Sequence, residues 1–313
     1  MCFRSFCDMF LSPFLSIIQI VFLSGKSGMG AVFNGGSRPF NKEEWAAQKK
    51  AQREDAYALI DSTSEKMLTD GNAFRQYLDV QGRFDRYSVA NAILVSAQMP
   101  EATQLKEKSA WKNNRVYVNK DAQKVVILEP SKEYTRQDGT KAVGYNAKEV
   151  FDISETSAKD RQQPQEKKSI RELVSAMIDA SPVNFQPVEE LEVPAFYDSS
   201  QQTIFVRTGL SEEQLFVSMS KEVAAAVFDF KYNESRDASD FKSFCVAYMV
   251  SSRYGVDTRG FQFGRLPKEY DGMDVQAFKG ELGSMRDVLG EIQNDMYKSM
   301  EKNKPPKSKG QER

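Results

Sequence analysis

Residues 219–229 read "MSKEVAAAVFD", and the fold of the second half of the chain turns on this stretch. Just upstream, Ser211 is followed three residues later by Gln214, the reciprocal capping pattern that opens a helix, here predicted to run to about Phe230. Within it Met219, Val223, Ala226 and Phe230 recur at spacings of three and four, which draws one apolar face and leaves Glu222 on the solvated side. On that reading the stretch is a core helix.

Its spacing supports another reading. A His-Glu-x-x-His helix sets two imidazoles one turn apart on one face to grip zinc, and the intervening glutamate deprotonates the bound water. Here Lys221 and Ala225 stand at the two histidine positions and Glu222 keeps the glutamate. An ammonium and a methyl cannot ligate a metal, and Lys221 would repel one. The whole chain of 313 residues contains no histidine. Ser-His-Asp and Cys-His catalysis, histidine general bases and the usual catalytic zinc sites are therefore excluded.

The composition, 40% hydrophobic and 28% charged, is that of a globular protein long enough for about two domains. A net charge of -1 and a pI near 5.9 give no global attraction to nucleic acid or anionic lipid, so such binding needs a local patch. Cys2, Cys7 and Cys245 make no disulfide framework. Cys245, in an apolar helical run, reads as a buried small hydrophobe. Asp229, Glu234, Asp237 and Asp240 lie close together in the chain, but they lack the spacing and the glycine turn of a calcium loop.

The predicted organisation is α+β. Residues 1–28 carry the apolar run "FLSPFLSIIQIVFLSG"; they read as an over-extended start before Met29, with a signal peptide or anchor as the alternative. Residues 29–156 form a first domain of helices followed by a small sheet. Its helices are the long "NKEEWAAQKKAQREDAYALIDSTSEKML", ended by Gly71, then "NAFRQYLDVQGRF" and "YSVANAILVSAQMP"; its strands are "RVYVN", "KVVILEP" and "KAVGYNAKEVFDI", the last two joined by an Asp-Gly turn. Residues 157–168 are a linker rich in Gln, Lys and Pro, and 169–302 a second, mainly helical domain with a short sheet. There a helix from Ser169 to Ala180 precedes a proline-punctuated loop and the strand "QTIFVR". After the 219–229 helix comes one with Phe241, Phe244, Cys245 and Tyr248 on one face, stopping at Gly255. The last helix carries a stripe of Val275, Phe278, Leu282, Met285, Leu289, Ile292 and Met296, which docks on its own domain or on a protein partner through residues 271–302. The basic tail 303–313 is expected to be disordered.

Both halves resemble the ArdC-like antirestriction proteins of plasmids, phages and conjugative elements. The resemblance is carried by "YSVANAILVSAQMPEATQLKEKSAWKNNRVYVNKDAQKVVILEP" and "VFDISET" in the first half, and by "FYDSSQQTIFVRTGLSEEQLF" and "FKSFCVAYMVSSRYGVDT" in the second, and spans about residues 41–300. It implies an N-terminal single-stranded-DNA-binding domain followed by a zincin-like metallopeptidase domain. It also implies that the metal motif is degenerate: Lys221 and Ala225 replace the histidines, Glu222 remains, and Phe244 falls where the acidic third ligand is expected. The expectation is a protein with no catalytic residues, metal or cofactor. At 119–124 the sequence "NKDAQK" lacks the family's glycine turn, which implies weaker DNA binding.

What remains is binding. In the first half Arg83, Arg86, Lys106, Lys108, Lys112, Arg115, Lys120 and Lys124 bracket Tyr87, Trp111 and Tyr117. Cations contact phosphates and aromatic faces stack bases, a combination suited to a single strand of any sequence. Trp111 also fits a core position with the lysines solvating a surface. Two functions follow: a non-catalytic accessory protein that binds single-stranded DNA, or a protein-interaction module that uses the zincin cleft and the last helix. A cytoplasmic location without stable membrane association is expected, and export or anchoring would follow if residues 1–28 are translated.

Overall fold

The structure, a computed structural model, describes residues 41–136, 138–161 and 168–302. The leader at 1–28, the start at Met29, residues 162–167 of the linker and the tail at 303–313 lie outside the described residues.

Three helices open the fold: α1 (Lys42–Thr69), α2 (Gly71–Arg83) and α3 (Val89–Gln98). A two-residue strand β1 (Leu105–Lys106) and a short helix α4 (Lys108–Asn113) lead into the long hairpin of β2 (Val125–Thr135) and β3 (Lys141–Asp152). The hairpin and β1 form an antiparallel sheet in the order β1-β3-β2. After α5 (Ile170–Ala180) comes a second sheet, β4 (Asn184–Val188), β5 (Ala195–Asp198) and β6 (Thr203–Arg207), in the order β4-β6-β5. In it β4 runs parallel and β5 antiparallel to β6. Helices α6 (Glu212–Tyr232), α7 (Asp240–Tyr254) and α8 (Val275–Lys302) complete an α+β architecture.

Local chemistry fixes the boundaries. Ser169 with Glu172, and Ser211 with Gln214, form reciprocal capping boxes at the starts of α5 and α6. α6 ends on Asn233 at φ 55° and α7 on Gly255 at φ 69°, both left-handed closures. Gly71, expected to end α1, instead begins α2. The Asp70 side chain caps α2 by accepting from the backbone N–H of Asn72 and Ala73, so the break lies one residue earlier.

Three other expectations change. "RVYVN" is not a ladder strand: Arg115 sits at φ 57°, and the run makes only an isolated bridge between Val118 and Thr156. The third strand of the first sheet is β1, too short for a period-two pattern to register. The proline-punctuated loop after α5 contains β4 and β5, the former carrying Pro187 on an edge strand, where a missing N–H is tolerated.

One apolar core joins both sides of the expected boundary at 157–168, with Phe74, Leu78 and Leu94 from the first half in the same cluster as Phe216, Phe228 and Leu289 from the second. In the α8 stripe Phe278, Leu282, Met285, Leu289, Ile292 and Met296 are buried in this core. Of the α6 face, Met219, Val223 and Ala226 are buried, whereas Phe230 near its end is about half exposed.

Helix α3 holds the hairpin through side chains. Asn91 and Gln98, two turns apart, each present an amide to the outer edge of β2: Asn91 donates to the Leu128 carbonyl at 2.9 Å and accepts from its N–H at 2.8 Å. Gln98 treats Val126 in the same way at 2.9 Å on both sides. The two amides thus stand in for a neighbouring strand. Asn91→Ala is expected to lower stability by about 2 kcal/mol, since both bonds go and the Leu128 groups lose their partner. Urea titration checks this, with an unchanged slope expected.

Candidate functional site

The site is built on the middle of α6, with Lys221 and Glu222 facing the loop that connects α6 to α7. Glu222, expected to be solvated, is only 3% exposed and has three hydrogen bonds. The Tyr197 backbone N–H donates to its Oε2 at 2.8 Å. The Arg236 guanidinium clasps both oxygens, Nε to Oε2 at 2.7 Å and Nη2 to Oε1 at 2.8 Å. This fork-to-fork pairing is the strongest geometry open to a carboxylate. Glu222 in turn holds the Arg236 pKa above its ordinary value. The guanidinium also lies over the Phe196 ring, 4.7 Å from its centroid.

One residue earlier, Lys221 Nζ meets Asp240 Oδ1 at 2.6 Å. Arg236 in the α6–α7 loop and Asp240 at the start of α7 thereby pair a cation and an anion with two consecutive opposite charges on α6. Ala225 is buried in the core. Phe244 joins an aromatic cluster, its ring 4.9 Å from Phe261 and 5.4 Å from Phe263. These three positions thus hold one ion pair, one methyl and one ring. A general base at Glu222 would first have to give up Arg236.

The acidic residues that lie together in the chain take different partners. Asp229 accepts from the Tyr197 hydroxyl at 2.8 Å, Asp240 pairs with Lys221, and Asp237 lies 3.7 Å from Arg236. Glu234 holds Lys242, a buried lysine that also reaches Glu281 at 2.9 Å and lies over the Phe228 ring. Among the described residues no group of three or more His, Cys, Asp or Glu is placed to hold a metal. Cys245 is fully buried, and burial pushes its thiol pKa well up.

Beside this network lies a cavity of about 480 Å³, within the range of small-ligand sites. Its walls include Pro194, Val217, Phe244 and Phe261, and its polar lining includes Arg207, Lys221 and Glu222.

The expected DNA-binding residues divide into two groups. Trp111 takes the core alternative: it is 2% exposed, donates from its indole N–H to the Phe151 carbonyl at 2.9 Å and packs with Val116, Ile153 and Ala158. Lys106 sits over its ring, 4.7 Å from the centroid. Arg83 is tied to the carbonyls of Pro100 and Ala102, and burial lowers its pKa. Tyr87 packs on Phe84, and Lys124 is paired with Glu149 at 2.7 Å. By contrast Arg86, Lys108, Lys112, Arg115 and Lys120 are exposed, and Tyr117 is 63% exposed. The backbone beneath Tyr117 is fixed: Ser157 N–H donates to the Tyr117 carbonyl at 2.8 Å and Asn119 N–H to the Glu155 carbonyl at 2.9 Å.

Sequence reasoning missed Arg236. It lies among acidic residues in "NESRDASD", and the available signal was that a lone arginine there had to find an acid across the fold.

No family model matches the chain, and no curated protein matches it. Solved structures to which the chain is similar include two of the antirestriction ArdC protein from plasmid R388. The metal-free form is 14% identical with a TM-score of 0.43, covering 70% of this chain and 87% of that one. The Mn(II)-bound form is 11% identical with a TM-score of 0.46, covering 70% and 86%.

Proposed function

We propose that this chain is a non-catalytic accessory protein that binds single-stranded DNA through the surface around α4, with the α6 helix retained as scaffold. Tyr117 carries the reading: an exposed ring on a pinned backbone segment, with Lys120 and Arg115 on either side in sequence and Lys108 and Lys112 on the adjoining helix. Among the described residues, none of these four cations makes an ion pair, so each is available to a phosphate. A ring face accepts any base, and the cations follow the backbone, which gives binding without sequence preference. The scaffold role of α6 is supported by Glu222, whose oxygens are occupied by Arg236 and Tyr197.

The test is salt-dependent retention on a single-stranded oligonucleotide. Lys112→Ala with Arg115→Ala is expected to flatten the log–log salt slope by about 0.7 per lost phosphate contact. Tyr117→Ala is expected to weaken binding roughly tenfold at fixed salt through lost stacking. Lys124→Ala, which removes a cation already paired with Glu149, should change little. Failure of the wild type to bind at low salt would end the proposal.

A second reading, capture of a protein segment by the cleft, is supported by the cavity beside the edge strand β5. It no longer includes the α8 stripe, which faces the chain's own core.

A further inference from the structure

The two outer edges of the β2–β3 hairpin are treated differently. An exposed strand edge invites pairing with another chain, and proteins block such edges with prolines, bulges, charges or covering groups. The β2 edge has three such blocks. The Asn91 and Gln98 amides occupy the backbone groups of Leu128 and Val126, Pro130 has no N–H, and the register shifts between Pro130 and Glu133. The β3 edge carries no proline, covering amide or extra bulged residue along 141–147; its one charge there is Lys141 at the far end, and the bulged residues of the register shift lie on β2 opposite Gly144. β1 covers only Phe151 and Asp152, and among the described residues nothing pairs with the rest of that edge. The same stretch exposes Val143 and Tyr145, two residues apart and so on one face, each more than 40% exposed.

We propose that this edge is a self-association surface, on which β3 pairs antiparallel with β3 of a second copy about a two-fold axis at Gly144. The occupant follows from the sequence of the strand. Centring on Gly144 sets Val143 opposite the partner's Tyr145 and, by symmetry, Tyr145 opposite the partner's Val143. Ala142 then faces the partner's Asn146, and Lys141 faces the partner's Ala147. No like charges meet, and the two large apolar side chains cover each other, as a favourable cross-strand pair requires. An isologous contact of this kind closes at two copies, making one continuous four-stranded ribbon from two hairpins. The pairing ends before Lys148, whose ammonium bridges Glu107 and Glu129, and before β1. This surface is independent of the DNA contacts proposed above.

Sedimentation equilibrium of the full chain tests it, with a concentration-dependent dimer expected at roughly 10–100 µM, the weak end expected of a small interface. Val143→Lys with Tyr145→Lys sets lysine against lysine twice and is expected to weaken the dimer roughly tenfold or more. Val143→Lys with Tyr145→Glu sets lysine against glutamate twice and should restore it. Gly144→Cys, at the axis, should form an interchain disulfide on oxidation beyond the wild-type background, which requires no stability from the edge-charged variants. A monomer at every concentration, or a dimer indifferent to the double lysine, overturns the surface. Failure of the lysine–glutamate variant to dimerise, or of Gly144→Cys to cross-link, overturns the register.

Discussion

Arg236→Met is expected to destabilise the protein by about 3 kcal/mol, because it leaves the Glu222 carboxylate buried without its counter-charge. The penalty comes from desolvation. Glu222 is 3% exposed, and once the guanidinium is gone its remaining donor is the Tyr197 N–H. The Arg236 side chain retains 20% exposure, so water can reach part of the vacated space, which keeps the effect at the lower end of the range for broken buried pairs. Pairing Arg236→Met with Glu222→Gln should recover most of the loss, since an amide costs far less to bury and its oxygen can still accept from Tyr197. Thermal unfolding of the two variants and the wild type checks this. A single variant as stable as the wild type would mean that Glu222 does not depend on the guanidinium. Methionine at 236 also removes the cation from the Phe196 face, so the double variant is expected to fall slightly short of full recovery.

The second large effect is at Gly71. A Cβ built there would lie 1.7 Å from the Phe263 carbonyl oxygen and 2.7 Å from that of Gly264, and both are backbone atoms that no rotamer change can move aside. Gly71→Ala therefore forces the start of α2 away from the 263–264 segment. That segment carries Phe263, whose ring meets Phe74, Phe244 and Tyr248. Loss upwards of about 3 kcal/mol is expected, at the extreme of overpacking effects. Loss of soluble expression or a lowered denaturation midpoint is the readout, with Gly280→Ala as control: Gly280 has open space around it and lies in α8, where alanine favours the helix. A Gly71→Ala protein of wild-type stability would place the 263–264 backbone elsewhere.

The long periodic elements were legible in the sequence. The capping box at Ser211, the Gly255 terminus, the Asp-Gly hairpin and the α8 stripe are all written in local residue order, because each depends on neighbours within a turn or two. The sites that escaped depend on distant partners. The burial of Glu222 follows from Arg236, fourteen residues on, and from Tyr197 on an edge strand. A helical wheel places Glu222 toward solvent, since a wheel cannot show that a loop folds over that face. Trp111 illustrates the same limit: bracketing lysines suit either an exposed stacking ring or a buried one, and the Phe151 carbonyl that decides between them is forty residues away. Gly71 resembles a helix terminator because glycine often is one, whereas its actual role is to leave room for a peptide group from the far side of the fold.

The two amides that α3 extends to β2 have a consequence for how this part of the chain comes together. A helix docked only by apolar contact can turn or slide by a fraction of a residue at small cost. Asn91 and Gln98 instead fix both its rotational phase and its position along its axis against Leu128 and Val126, and a one-residue slip would forfeit all four bonds together. In the folded protein the helix and the base of the hairpin thus set each other's alignment, each supplying the template for the other.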